Sequence, residues 1–277
     1  MNGFEKIIYA LQGNSPHQTV FGWFHFLFLG LTIIATVLMC VFLPKVSTKT
    51  HKIVLFVSWL IMLLLEIYKQ LVYSFEYVDG KAVWDYQWYA FPFQFCSSPL
   101  YILPFAIFIK KDSAREYFES FLGFFALFGG LVVMLYPGDV YNTSYIGVAI
   151  QSMVHHGLMV AIGIYLLVKN KDKLNIKYYL KSLVVFVAML VVATILNETI
   201  IFATKDSFNM FYISRHFDCT MPLLSIIYQK LPYPVFLIVY IVGFAIAGMV
   251  MFLVAKLIKL ICDKIAQKKG KTNVPNA

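Results

Sequence analysis

Charge is scarce in this 277-residue chain: 13% of residues are Asp, Glu, Lys or Arg, against 60% hydrophobic. That balance excludes an ordinary soluble globule, in which charged residues make up roughly a quarter. Cysteine is sparse too. Cys40, Cys96, Cys219 and Cys262 form neither a CxxC pair nor a mixed Cys/His spacing, so no structural zinc or redox motif is encoded. The N-terminal segment has one lysine and a polar stretch from Gln12 to Thr19, with no short apolar core and no small-residue cleavage site. No cleaved signal peptide is expected. There is no internal repeat either, which argues against an inverted-repeat transporter.

What the chain has instead is long apolar runs, each of about 20 residues and able to cross a hydrocarbon core of roughly 30 Å. They predict spans at 20–44, 53–76, 90–109, 117–136, 146–168, 178–203 and 233–260. The expected fold is all-α, a polytopic seven-transmembrane-helix bundle forming one domain over 1–277. A short amphipathic segment (1–19) precedes it, and a basic tail (261–277) follows. Formal charge is +9, and its distribution gives orientation. Three lysines follow span one, three basic residues follow span three, five lysines follow span five and six lie in the last helix and tail. Together they put 17 of the 23 basic residues on one side. The positive-inside rule then predicts an outside N-terminus and a cytoplasmic tail; the expected location is the plasma membrane, as a multi-pass protein. The basic tail suits anionic lipid headgroups, and nothing points to nucleic acid. Phe4, Ile7, Ile8 and Leu11 share one helix face and suit a short helix in the outer interface. The apolar stretch from Met221 to Leu231 suits a re-entrant or lid-like helix.

Polar groups interrupt these runs at related depths: His25, Glu66, Lys69, Gln70, Gln94, Cys96, Gln151, His155, His156, Asn197 and Glu198. An ionisable group in hydrocarbon is costly unless paired or in a wet cavity, so such residues mark candidate sites. At 1.5 Å per helical residue, Cys96 lies roughly 10 Å and the histidines roughly 15 Å inside the outer end of their spans. The inner half is expected to hold almost no comparable group.

Span three carries the sharpest pattern, Phe91-Pro92-Phe93-Gln94-Phe95-Cys96-Ser97-Ser98-Pro99, then Pro104. Pro99 cannot donate to the Phe95 carbonyl, which is left free beside Cys96 as the helix bends. Cys96 in an early turn has its thiolate favoured by the helix dipole, and a neighbouring imidazole favours it further. Cys–His pairing activates thiols for acyl chemistry. Blander readings stand beside this one. A membrane cysteine is often a packing residue, buried histidines are satisfied by neighbouring helices, and Glu66 and Lys69 neutralise one another at i, i+3. Glu66, His155 and His156 have ligand chemistry, but no metal-binding motif joins them. A Cys96–Cys219 disulfide is a further alternative.

These residues resemble the YwaF family of bacterial seven-span proteins and their eukaryotic relative, transmembrane protein 164. The resemblance runs through Pro92-Phe93-Gln94-Phe95-Cys96, His156-Gly157 with Tyr165-Leu166, and Asn197. It continues through Asn209-Met210-Phe211-Tyr212 and Leu231-Pro232-Tyr233-Pro234. The eukaryotic relative is a cysteine-dependent acyltransferase acting on glycerophospholipids. The resemblance implies Cys96 as nucleophile and His156 as base, with His155 beside it, and no cofactor or metal. Substrate-binding or orienting roles then fall to Gln94, Glu66, Asn197, Asn209, Tyr212 and Arg215. Chemistry adds that Gln94, Asn197 or a backbone N–H beside Cys96 would donate to an oxyanion, Glu66 would orient a histidine, and Arg215 would hold a phosphate.

The expected function is a membrane acyltransferase or lipid hydrolase working on acyl esters, with a phospholipid or lysophospholipid as partner. Two alternatives use the same polar cluster: a transporter or proton-coupled carrier, and a ligand-binding membrane protein without catalysis.

Overall fold

A computed structural model describes residues 2–13, 15–141, 143–204 and 207–272, with side chains at 203 and 269–272 outside the description. Its helices are α1 (Gly3–Gln12), α2 (Trp23–Phe42), α3 (Thr48–Val72), α4 (Ser98–Phe108) and α5 (Asp112–Leu135). They continue as α6 (Ile146–Lys169), α7 (Ile176–Thr204), α8 (Leu224–Lys230) and α9 (Tyr233–Thr272). Six of them, α2, α3, α5, α6, α7 and α9, are long and apolar enough to cross a membrane. The protein is a multi-pass membrane protein.

Helix α6 is the centre of the bundle: 72% of its most apolar window is buried, against 22% for α2 and for α9. Small residues let its neighbours approach. A Cβ on Gly130 of α5 would sit 2.8 Å from Met159 Cβ and 3.0 Å from the His156 carbonyl oxygen. Close backbone approach through small residues is the usual way helices pack where hydrophobic driving force is absent. Helix α5 also carries a π turn over Leu122–Ala126, fully buried against α6 and α9.

The expected third span is the main departure. Instead of a helix over 90–109, a 3₁₀ turn at Trp88–Ala90 and irregular backbone lead to a second 3₁₀ turn, Phe95–Ser97, and only then to α4. Prolines at 92, 99 and 104 account for this. Pro99 takes the first turn of α4, where its missing N–H costs nothing. Pro104 leaves the Leu100 carbonyl without its helical donor, and Trp59 Nε1 fills that position at 2.9 Å. The Phe95 carbonyl is not free, since the Ser98 N–H closes on it.

A hairpin, β1 (Phe75–Val78) and β2 (Lys81–Trp84), follows α3, with Asp79 and Gly80 both at positive φ in the turn. Helix α1 rests on it through Phe4 against Phe75 and Tyr9 against Tyr77, while Gln12 donates to the Val72 and Phe75 carbonyls. The Met221–Leu231 stretch holds α8, seven residues long.

Candidate functional site

The irregular segment before α4 needs partners for its backbone, because lipid supplies none. Side chains from α3, α4 and α6 provide them. Gln70 Nε2 donates to the Ala90 carbonyl at 2.8 Å, Tyr101 donates to the Pro92 carbonyl at 2.7 Å, and His155 Nε2 reaches the Cys96 carbonyl at 2.9 Å. Since a carbonyl only accepts, Nε2 of His155 carries the proton, and the neutral ring has a bare Nδ1. His156 is fixed the same way at its other nitrogen, with Nδ1 2.7 Å from the Ser152 carbonyl of its own helix. Its bare nitrogen is Nε2.

Both bare nitrogens are buried and lack a hydrogen-bond partner among the described residues, as does the Ser98 hydroxyl two residues beyond Cys96. Buried polar atoms left unpaired are uncommon. The half-buried Cys96 thiol is free, and so is Cys219, which leaves no bridge between them. No sulfur lies within hydrogen-bond reach of either bare nitrogen. What joins Cys96 directly to the histidine pair is the His155 bond to its carbonyl.

Beside the pair sits an ionic cluster. Glu66 accepts from Lys69 at 2.8 Å, from Gln70 at 2.7 Å and from Gln151 at 3.4 Å. Lys69 is within electrostatic reach of Cys96, His155 and His156. Glu66 makes its contacts to these three side chains and not to an imidazole, because both histidine N–H groups are already held by carbonyls. Tyr86, above the cluster, donates to Gln70 Oε1 at 2.6 Å, and burial followed by the nearby Glu66 charge pushes its hydroxyl up to about 12.

The loop after α7 roofs the site. Phe211 and Tyr212 hold consecutive left-handed conformations, φ 58° and 56°, strained for bulky residues at about 1–3 kcal/mol each. Three amides hold them there. Gln94 accepts from the Phe211 N–H and donates to the Asn209 carbonyl, both at 3.0 Å. Asn197 accepts from the Met210 N–H at 2.7 Å and donates to the Met210 carbonyl at 3.0 Å. Asn209 accepts from the Ser214 N–H at 2.9 Å and donates to the Asp218 carbonyl at 3.1 Å. The amides of Gln94 and Asn197, expected as oxyanion donors, are therefore committed to the loop backbone. Phe211 packs on Phe93 and Phe95, which flank the site. Tyr212 lies within electrostatic reach of Cys96; burial first, then the Cys96, Asp139 and Cys219 charges, raises its hydroxyl to about 12. Burial likewise pushes the Cys219 thiol up.

Two expected site residues lie elsewhere. Arg215 is more than half exposed and pairs with Glu198 at 2.7 Å, with His216 Nε2 at 3.2 Å from the same oxygen. A phosphate there would have to displace or share Glu198. His25 accepts from the Phe21 N–H at 3.1 Å and donates to the Met134 carbonyl at 2.8 Å, so it ties the start of α2 to the end of α5. Among the described residues, no group of three His, Cys, Asp or Glu side chains is arranged to hold a metal ion.

Polar burial extends to the lysine-rich end, contrary to expectation. His51 reaches Tyr165 at 2.7 Å and Glu119 at 3.2 Å, and Glu119 also accepts from Arg115 and Asn170, both at 3.0 Å. All five side chains are buried. Every Glu119 oxygen is matched, so this network reads as a clamp among α3, α5 and α6.

An apolar groove of about 260 Å³ opens sideways between α7 and α9, lined by Val187, Leu190, Val191, Leu237 and Ile241. Ile213, from the strained loop, and Tyr240 also line it. Tyr240 lies within electrostatic reach of Tyr212 and Cys219.

No curated protein and no solved structure matches the chain. A family model described as TMEM164 family matches residues 20–256, which takes in α2 through most of α9 and every residue of the cluster around Cys96. This chain belongs to the TMEM164 family.

Proposed function

We propose that the protein is a cysteine-dependent acyltransferase, or acyl-ester hydrolase, acting on glycerophospholipids, with Cys96 as nucleophile and His156 as base. One observation carries the reading: His155 and His156 both have their N–H groups fixed on carbonyls, leaving Nδ1 and Nε2 buried and bare, and the carbonyl that holds His155 belongs to Cys96, whose thiol is free. A bare imine nitrogen is the form a general base requires.

In this reading His156 Nε2 takes the Cys96 proton and the thiolate attacks the ester carbonyl carbon. The lysolipid alkoxide leaves with the proton from the imidazolium, giving a Cys96 thioester. A second lysophospholipid hydroxyl, or water, then gives its proton to His156 and attacks the thioester, which restores the thiol. His155 is a positioning residue acting through the Cys96 carbonyl. The Tyr212 phenol, kept neutral, and the Ser98 hydroxyl donate to the oxyanion. Gln94, Asn197 and Asn209 serve indirectly by holding the Tyr212 loop. Glu66 fixes Lys69 by their ion pair. The acyl chain enters from the bilayer along the groove between α7 and α9.

The same reading takes α4, with the irregular segment before it, as a seventh crossing of one domain. It puts the N-terminus outside, the tail in the cytoplasm, the chain in the plasma membrane and the site in the outer leaflet half. The order of the motifs resembles the bacterial YwaF branch. A carrier is the second reading, favoured by buried polar side chains at both ends of the bundle, Glu66 and Gln151 at one and His51 and Glu119 at the other. Vesicle uptake that survives Cys96→Ser but not Glu66→Gln would select it.

The test is incubation of reconstituted protein with a radiolabelled phospholipid and a lysophospholipid acceptor. The parent is expected to form a hydroxylamine-labile acyl adduct and labelled product, and Cys96→Ala neither. Equal product from Cys96→Ala rejects the nucleophile.

A further inference from the structure

At the lysine-rich end of the bundle a second, open pocket of about 290 Å³ is lined by Lys111, Ser113, Ala114, Tyr117 and Lys181. It belongs to no part of the site around Cys96. We propose that it binds the phosphate headgroup of an anionic phospholipid in the leaflet on that side.

Charge is the first argument. Glu116, the carboxylate next to the pocket, is shared between Lys181 and Lys173, so it offsets only one of the two cations. Asp112 turns away to Arg115, at 2.9 Å. Lys111 and the Ser113 hydroxyl have no hydrogen-bond partner among the described residues, and both are exposed. An ammonium and a hydroxyl therefore face the opening with donors to spare, beside the second ammonium of Lys181. That donor set suits a phosphodiester.

Position is the second argument, and it selects a lipid over a soluble anion. Lys181 lies 5.4 Å over the Tyr117 ring, both near the lysine-rich ends of their helices, a position where aromatics suit the headgroup boundary. On α7 the exposed side chains Leu180, Val184, Val187 and Val191 form one face running from Lys181 into the bilayer. A headgroup held by Lys111 and Lys181 has its chains laid along that face. Basic pockets at the ends of membrane helices commonly take anionic headgroups in this way.

Native mass spectrometry of the full chain released from neutral detergent tests the proposal, with phosphatidylglycerol, phosphatidylcholine or inorganic phosphate added. Phosphatidylglycerol is expected to bind in preference to the zwitterionic lipid. Each lysine removed is expected to weaken it about fivefold. Lys111→Gln/Lys181→Gln should therefore lose most of the adduct. Lys111→Gln/Ser113→Ala leaves the Lys181–Glu116 pair intact and serves if the first variant misfolds; it too should weaken binding. Lys45→Gln/Lys49→Gln removes the same charge from the same end outside the pocket and should bind as the parent does. Equal adducts with phosphatidylcholine, unchanged binding in Lys111→Gln/Ser113→Ala, or an equal loss in Lys45→Gln/Lys49→Gln overturns the pocket. Inorganic phosphate binding as strongly as phosphatidylglycerol overturns the lipid as occupant.

Discussion

The Nε2 atom of His155 lies 2.9 Å from the backbone carbonyl oxygen of Cys96, so the histidine holds the residue by its main chain and not by its sulfur. Its neighbour His156 makes no such contact, because its Nδ1 is spent on the Ser152 carbonyl of its own helix.

Substitution should therefore split them. His155→Gln retains a side-chain donor for the Cys96 carbonyl and is expected to keep most acyl transfer, whereas His155→Ala is not. His156→Gln removes the proposed base and should lower turnover about 10²–10⁴-fold. Turnover of reconstituted variants, corrected for folded protein, checks this; equal losses for the two glutamine variants would reject the assignment.

Asn197 exchanges two hydrogen bonds with Met210 in a buried position. Asn197→Ala leaves the Met210 N–H without a partner, a loss of about 1–3 kcal/mol, and leaves its carbonyl with only the long 3.4 Å bond from the Ile213 N–H. The strained turn at Phe211 and Tyr212 should then relax. Limited proteolysis between residues 207 and 219 should accelerate in the variant, and a cleavage rate equal to the parent's would show that the amide does not hold the loop.

Tyr86 ties the hairpin side to Gln70, and its hydroxyl is raised from 10 to about 12. A folded-state value above the unfolded one favours the protonated phenol in the fold. The stabilisation is full below about pH 10 and is lost as pH rises toward 12. The difference in Tm between parent and Tyr86→Phe should stay constant up to pH 10 and then shrink. A difference that widens with pH would contradict the sign.

Glu119 is matched by Arg115, His51 and Asn170 in the interior. Removing one partner of a buried ionic network costs about 3–5 kcal/mol, because the rest is left uncompensated. Glu119→Ala is expected to lose that much stability, while acyl transfer per folded molecule is unchanged. Denaturant titration in detergent, paired with turnover, separates the two quantities.

Much of this was legible in the chain. Helix α6 begins at Ile146, where the apolar run predicts it, and α2, α3, α5 and α7 fall within about five residues of their expected starts. Apolar length is a strong signal because hydrocarbon imposes it. The short α4 was less legible, since three prolines in an apolar run are compatible both with a kinked helix and with a broken one. The hairpin did leave a signal: Asp79-Gly80 between Phe75, Tyr77 and Val83 is the pattern of a tight two-residue turn. The inner network left almost none. His51 and Glu119 are 68 residues apart, and Arg115 reads in sequence as one more cation at a positive end. The destinations of Gln94 and Asn197 were equally hidden, because an amide's partner is a tertiary fact.

The brevity of α4 has a mechanical consequence. Eleven residues rise about 16 Å, near half of a hydrocarbon layer of roughly 30 Å. As the proposed seventh crossing, α4 would present lipids with two unequal textures, one smooth and helical, the other a knot of turns with Cys96 at the seam. Bilayer thickness would then be a variable of the proposed site, since thinner membranes move the seam toward headgroups and thicker ones toward chain ends.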